Sequence, residues 1–311
     1  MESSTKVAVF GGTGFIGSYI LESLVQNGFQ VATLVRNNSV PKLALLKDIK
    51  IINGELNSKH SIQQTIQNCD VIVYAIGIIR ENKKRGITFD KLHFEYFKKI
   101  VDISKGNGIK KIIYVSAKGV KDIGTKYQTS KYQAEQYLTD NFDNWTIFRP
   151  SVVYGDPKGK MEFMTQLKEE IIEKPFPAPL FFKTNPLKTD QFFKSNPIHV
   201  EDLTRLIVKS INSEYSKKKI HEVGGLIQMS WKGMLKSISL LLNKKKLFFP
   251  VPISIVYLIT KLFDNFQSFP ITSSQIKMLM EDNTCDSKEL FELYGITPIK
   301  FSADSIKYLN N

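Results

Sequence analysis

Val7-Ala8-Val9-Phe10-Gly11-Gly12-Thr13-Gly14-Phe15-Ile16-Gly17 decides the fold. Four apolar residues predict a short buried strand, and the glycines that follow at once predict a tight turn. The next residues place Ile16, Tyr19, Ile20 and Leu24 at helical spacing, which predicts a helix over Phe15–Gln26, with Gly28 where a C-terminal cap belongs. A strand running through a glycine turn into a helix is the context that dinucleotide binding requires. In that reading Gly11 allows the turn, Gly14 lets backbone approach a pyrophosphate, and Gly17 lets helix and strand pack closely. Thr13, Phe15 and Ile16 complete the candidate cofactor loop, and the helix start offers amide donors and a positive dipole end.

Outward from this stretch, short β-branched runs alternate with amphipathic ones. Strands are predicted at Val7–Phe10, Val31–Val35, Ile49–Ile52, Val71–Ala75, Ile112–Ser116 and Trp145–Phe148, and a further helix at Thr129–Asn141. This is the pattern of βαβ units in an α/β, doubly wound parallel sheet of the Rossmann type. After Gly155 the rhythm breaks at Lys158-Gly159-Lys160 and at Lys174-Pro175-Phe176-Pro177-Ala178-Pro179. Residues 1–155 are assigned to the nucleotide-binding domain, and 196–226 return to it, with a strand end and helix in Pro197–Ile211 and a strand at Ile220–Gly225. Residues 156–195 and 227–311 form a smaller, mostly helical C-terminal lobe.

The end of the second strand selects the cofactor. An acidic side chain there accepts from a ribose 2′-hydroxyl, whereas a basic one accommodates a 2′-phosphate. Here stands Arg36, followed by Asn37 and Asn38, which also donate to phosphate oxygens. NADP(H) is favoured, and NAD(H) stays open.

Beyond the GxxGxxG pattern of Gly11, Gly14 and Gly17, several stretches carry a family likeness. They are Ala75-Ile76-Gly77-Ile78-Ile79-Arg80-Glu81, Tyr114-Val115-Ser116-Ala117, Tyr127-Gln128-Thr129-Ser130-Lys131, Arg149 to Gly155, Pro197 to Asp202, and Asp282-Asn283. Over nearly its whole length the chain resembles the atypical and extended short-chain dehydrogenases/reductases, the NAD-dependent epimerase/dehydratase-like superfamily. Within it the likeness is to the subgroup of the NADPH-binding accessory subunit of respiratory complex I and its prokaryotic relatives. The resemblance implies that Ala75, Ile76 and Gly77 face the adenosine ribose and pyrophosphate. It also implies that Glu55 sits near the adenine edge and that Pro150, Ser151, Val152 and Val153 line the nicotinamide. His199 is read as structural.

Tyr127 and Lys131 have YxxxK spacing, which puts both on one helix face. A nearby ammonium lowers a phenol's pKa, so Tyr127 is a candidate proton donor or acceptor at a carbonyl or alcohol, with Lys131 also holding ribose. Ser116 is the only candidate for the serine that the enzymatic relatives place after the fifth strand. The stretch from Ser116 to Tyr127 is shorter than in sugar-nucleotide epimerases and dehydratases. Three readings therefore stand: a protein that holds NADP(H) as a structural or sensing cofactor, an NADP-dependent oxidoreductase acting on a carbonyl or quinone-like substrate, and, third, an epimerase or dehydratase.

The 311 residues, 42% hydrophobic, suffice for a full core. Cys69 and Cys285 stand far apart, so neither a disulfide framework nor a metal site is predicted. The formal charge of +13 comes from lysines spread along the chain and reads as a basic, solvated surface rather than a nucleic-acid site. The opening residues lack the features of a signal peptide, so a cytoplasmic protein is expected, peripheral at a membrane if anything. Lys244-Lys245-Lys246 precede an apolar run, Leu247 to Ile259, broken by two prolines and shorter than the roughly 20 residues of a span. It is read first as a helix packed into the small lobe's core, and second as an apolar face for a membrane surface or a membrane-associated respiratory complex.

Overall fold

The computed structural model describes residues 5–36, 49–183, 185–187, 193–264, 271–281 and 283–310. Its elements begin β1 (Lys6–Phe10), α1 (Phe15–Gln26), β2 (Gln30–Val35), β3 (Ile49–Asn53), α2 (Lys59–Ile66), β4 (Val71–Tyr74), α3 (Tyr96–Ser104), β5 (Lys111–Val115), α4 (Lys126–Asn141) and β6 (Trp145–Pro150). They continue with β7 (Val153–Tyr154), α5 (Phe163–Leu167), β8 (Ala178–Phe182), β9 (Lys194–Ser195), β10 (Ile198–His199), α6 (Val200–Ser210) and β11 (Lys219–Val223). The last are β12 (Met229–Ser230), α7 (Trp231–Leu241), β13 (Phe248–Pro252), α8 (Ile253–Phe263), α9 (Ser273–Leu279) and α10 (Lys288–Leu293). Two compact units result, Met1–Arg149 with Leu203–His221, and Pro150–Asp202 with Glu222–Asn311.

The first unit carries a sheet ordered β11-β6-β5-β4-β1-β2-β3, in which every pairing from β6 to β3 is parallel. Val7, Ala8, Val9 and Phe10 are all fully buried, because helices cover both faces of such a sheet and no polar alternation is needed. Phe97 packs on Tyr74 and Tyr114 at ring separations of 4.8 and 4.5 Å, and each such buried ring contributes on the order of 2 kcal/mol. The strand order reverses between β1 and β4, which opens a crevice outside their carboxyl ends. The doubly wound α/β fold expected from the sequence is thus present. Helix α1 has the predicted bounds, and Gly28 follows it at φ +77°, its amide on Val25 O.

Two local expectations are corrected. Helix α4 starts at Lys126, not Thr129, because Thr125 and Gln128 form a reciprocal capping box that nucleates the extra turn. The apolar run 247–259 is not one core helix. Its first part is β13, paired in parallel with β8, and Pro252 then opens α8.

The second unit has its own core, in which Trp231 packs on Phe181 and Phe193 and donates to Pro179 O at 2.8 Å. Among the described residues no helix is long and apolar enough to cross a membrane.

Candidate functional site

The glycine loop is shaped by backbone contact. Gly11 has φ +96°, and a Cβ there would lie 2.9 Å from both Ala75 C and Ile76 N, so the loop lies directly against the residues that follow β4. At Gly17 a Cβ would come within 2.0 Å of Gly11 O, which is why α1 can start so close to β1. Gly11 O also accepts the Gly14 amide at 2.9 Å. Gly14 is different: its missing Cβ would meet only Gly11 O, at 3.2 Å, and the space beside it is open. Helix α1 has no capping side chain and no acidic residue in its first turn. Its leading amides, on Phe15 and Ile16, therefore present an uncapped positive end next to half-buried Thr13, an arrangement suited to a pyrophosphate.

Around this loop the parallel register brings further candidates to the same carboxyl edge. Arg36 is exposed immediately past β2. Glu55 is exposed two residues past β3, and Gly54 between them donates to Val35 O at 3.0 Å. Asn37 lies outside the described residues. Ala75, Ile76 and Gly77 leave β4, and a Cβ on Gly77 would be 3.8 Å from Lys131 Nζ, so the β4 exit and α4 meet.

Tyr127 and Lys131 do share one face of α4, and Lys131 is almost fully buried. Its ammonium donates to Val115 O at 3.1 Å and lies over the rings of Tyr114 and Tyr127, 5.2 and 5.9 Å from their centroids. Burial, partly offset by Glu135, lowers the Lys131 pKa to about 8. The expected lowering of the Tyr127 pKa is not found. Burial raises it, and the ammonium stands over the ring face instead of meeting the hydroxyl. Ser116 is anchored through its amide to Phe148 O at 2.7 Å, while its buried hydroxyl, like that of Tyr114, has no hydrogen-bond partner among the described residues.

His93 escaped the reading of the sequence. It sits in a π-helical turn, Asp90–Glu95, leading into α3, and is fully buried. Its Nε2 accepts from Ile78 N at 3.1 Å, so the proton is assigned to Nδ1, which donates to Ser130 Oγ at 3.0 Å. Burial first, and Lys131 second, push its pKa down to about 2. A neutral imidazole thus ties the β4 exit to the turn of α4 between Tyr127 and Lys131. One turn beyond, buried Glu135 holds Arg149 in a two-pronged pair, with Nε to Oε1 at 3.0 Å and Nη2 to Oε2 at 2.5 Å. A π-helical insertion leaves no periodic mark in sequence, and a lone histidine among mixed charged and aromatic residues, Asp90 to Lys99, does not announce two partners so distant along the chain.

Pro150, Ser151, Val152 and Val153 belong to the second unit. There Ser151 donates through its amide to Val223 O and through its hydroxyl to Asn283 O, both at 2.7 Å, and Val152 O accepts from Ile198 N. Asp282 lies outside the described residues. His199 packs edge-on against Tyr154 at 5.2 Å.

Residues 11–174 match the model of a family described as NAD(P)H-binding. The chain is 25% identical over 236 residues to the mitochondrial NADH dehydrogenase [ubiquinone] 1 alpha subcomplex subunit 9 of Dictyostelium discoideum, covering 74% of this chain and 62% of that protein. It is 22% identical over 149 residues to a ceramide reductase of Caulobacter vibrioides, covering 48% and 46% respectively. The matches thus span less than two thirds of either relative. In fold it is similar to the UDP-glucuronic acid 4-epimerase of Bacillus cereus solved with NAD, with a TM-score of 0.72, 15% identity and coverage of 98% and 96% of the two chains. The family model covers more than half of the sequence and begins at the first glycine of the loop: this chain belongs to the NAD(P)H-binding family.

Proposed function

We propose that the chain holds NADP(H) as a structural or sensing cofactor, with slow turnover or none. The observation that carries this reading is the state of the Tyr/Lys pair. Burial holds the Tyr127 phenol above its ordinary pKa, and the Lys131 ammonium is directed to Val115 O and to aromatic faces. An acid/base tyrosine needs the opposite balance. In this reading both side chains pack against and hold the ligand, with Lys131 exchanging part of its present contacts for ribose hydroxyls. In the same reading Gly11, Thr13, Gly14, Phe15, Ile16 and Gly17 hold the pyrophosphate, Ala75 to Gly77 the adenosine ribose, and Glu55 the adenine edge. Arg36, together with Asn37, meets the 2′-phosphate. By similarity to the alpha subcomplex subunit, the proposed partner is a membrane-associated respiratory assembly.

A second reading, an oxidoreductase, draws on the buried, unpartnered hydroxyl of Ser116 beside Val115, the residue that Lys131 anchors to. In that reading Ser116, Tyr127 and Lys131 would border the nicotinamide, which would provide hydride chemistry when bound, and Tyr127 would exchange a proton with a carbonyl or quinone-like substrate. The first experiment releases whatever co-purifies, identifies it by mass, and follows nicotinamide absorbance on adding carbonyls and quinones. The binding reading expects NADP(H) that stays reduced, and retention of it by Tyr127→Phe. Substrate-dependent oxidation that this variant abolishes makes the protein an enzyme. Arg36→Asp is expected to lower the preference for NADP(H) over NAD(H) about tenfold, and an unchanged preference sinks the NADP(H) assignment.

A further inference from the structure

Outside the cofactor site, the most unusual surface lies on the second unit. Along α8, Ile255, Leu258, Ile259 and Leu262 are 52, 60, 42 and 70% exposed. Their i, i+3, i+4, i+7 spacing aligns them as one stripe on the outer face, about 11 Å long at 1.5 Å per residue. The inner face is satisfied, since Ile253 and Thr260 are buried and Val256 packs on the core. Strand β13 extends the apolar surface. Phe249 is 61% exposed, and Leu247, whose carbonyl accepts the Ala178 amide, is 75% exposed near the 74% exposed Phe176. Folded chains rarely leave so many large apolar side chains together in water.

The charges on the same segments say what covers this face. Residues 173–183 and 244–264 carry Lys174, Lys183, Lys244, Lys245, Lys246 and Lys261 against Glu173 and Asp264, with no arginine, methionine or tryptophan. Glu173 and Lys244 are paired at 3.8 Å, and half-buried Lys246 donates to the carbonyls of Ile172 and Lys174, so the positive fringe of this face rests on Lys174, Lys183, Lys245 and Lys261. Surfaces that bind proteins are enriched in aromatic residues, methionine and arginine and depleted of lysine; this face exposes Phe176, Phe249 and Tyr257, but its basic residues are all lysine and it carries neither arginine nor methionine. A lysine-fringed stripe of aliphatic and aromatic side chains is instead the composition of a helix lying in a lipid interface. We propose that α8 and the strand ends beside it dock on the surface of an anionic lipid bilayer, with the stripe among the acyl chains and the lysines at the headgroups. Among the described residues no helix is long and apolar enough to cross a membrane, and the proposal is of attachment to its surface. The proposal does not depend on which cofactor the first unit holds.

The test is flotation of the full chain with phosphatidylcholine vesicles, with and without about a third of the lipid replaced by phosphatidylglycerol. Binding is expected only to the anionic vesicles and is expected to weaken as salt rises. Leu258→Glu with Leu262→Glu, and separately Lys245→Glu with Lys261→Glu, are expected to lower partitioning about tenfold or more. All these positions are exposed, so both variants should keep the parent's thermal unfolding and its bound dinucleotide; Ile123→Glu, on the first unit, should bind as the parent does. Equal binding to neutral vesicles, no binding to either kind, or binding indifferent to the leucine changes overturns the proposal. So does self-association that the leucine changes abolish without any vesicle binding, which makes a second copy the occupant.

Discussion

The two ends of the candidate site are built in different ways. The glycine loop is a matter of backbone: Gly17 is required because Gly11 O occupies the place of its Cβ, and Gly11 because the β4 exit occupies its own. The Tyr127–Lys131 end is a matter of burial and partners, in which a sunken Lys131 ammonium donates to Val115 O, a neutral His93 to Ser130 Oγ, and Glu135 pairs with Arg149. Backbone sterics give a site that is hard to alter and easy to recognise. A buried polar network gives one whose protonation, and hence whose chemistry, depends on everything packed around it.

The largest effect is expected where that network is cut. Glu135→Gln leaves Arg149 without its two-pronged partner and should cost roughly 3 kcal/mol or more of stability in denaturant unfolding. A loss below about 1 kcal/mol would show that Glu135 matters little to this end of the site. At the other end, Gly17→Ala forces α1 away from Gly11 O and should cost about 1–3 kcal/mol while abolishing measurable dinucleotide binding in titration calorimetry. Binding that survives would mean the loop is less rigid than its contacts require.

Smaller effects follow from protonation. The pKa of His93 falls from 6.5 in the unfolded chain to about 2 in the fold, so between those values the unfolded state takes up more protons. Stability should therefore decline as pH drops below 6.5. His93→Gln, which keeps a donor and an acceptor but does not titrate there, should lack that part of the slope in acid unfolding. Lys131 makes the finest distinction. With a folded pKa of about 8 against 10.5 unfolded, its contribution to stability rises with pH between those values, again because the unfolded state binds more protons. Its ammonium is lost over the same rise, so dinucleotide affinity should fall a few-fold above pH 8. Opposite slopes in unfolding and in binding, both absent in Lys131→Met, would tie the charge to the ligand. Parallel slopes would confine Lys131 to the fold.

These contrasts explain what could be read in advance. The strand, glycine turn and helix of residues 7–26 were legible because φ > 0 and close backbone approach admit almost nothing but glycine, and because a buried parallel strand needs an unbroken apolar run. The capping box that starts α4 three residues before Thr129 is itself written in the sequence, as Thr125 and Gln128. For the apolar run at 247–259, composition showed that it must meet something apolar or anionic; only the tertiary structure, which takes the first part of the run into β13 beside β8, decided that the helix after it would turn Ile255, Tyr257, Leu258, Ile259 and Leu262 outward.

By itself the sequence determined the doubly wound architecture, the dinucleotide loop and the face of α4 that carries Tyr127 and Lys131, since each depends on local geometry and short-range periodicity. Tertiary structure alone decided the protonation of that pair, the bridging of Ile78 and Ser130 by His93, and the exposure of α8. Desolvation and hydrogen-bond partnership depend on groups far apart along the chain, and no local pattern encodes which of them will meet.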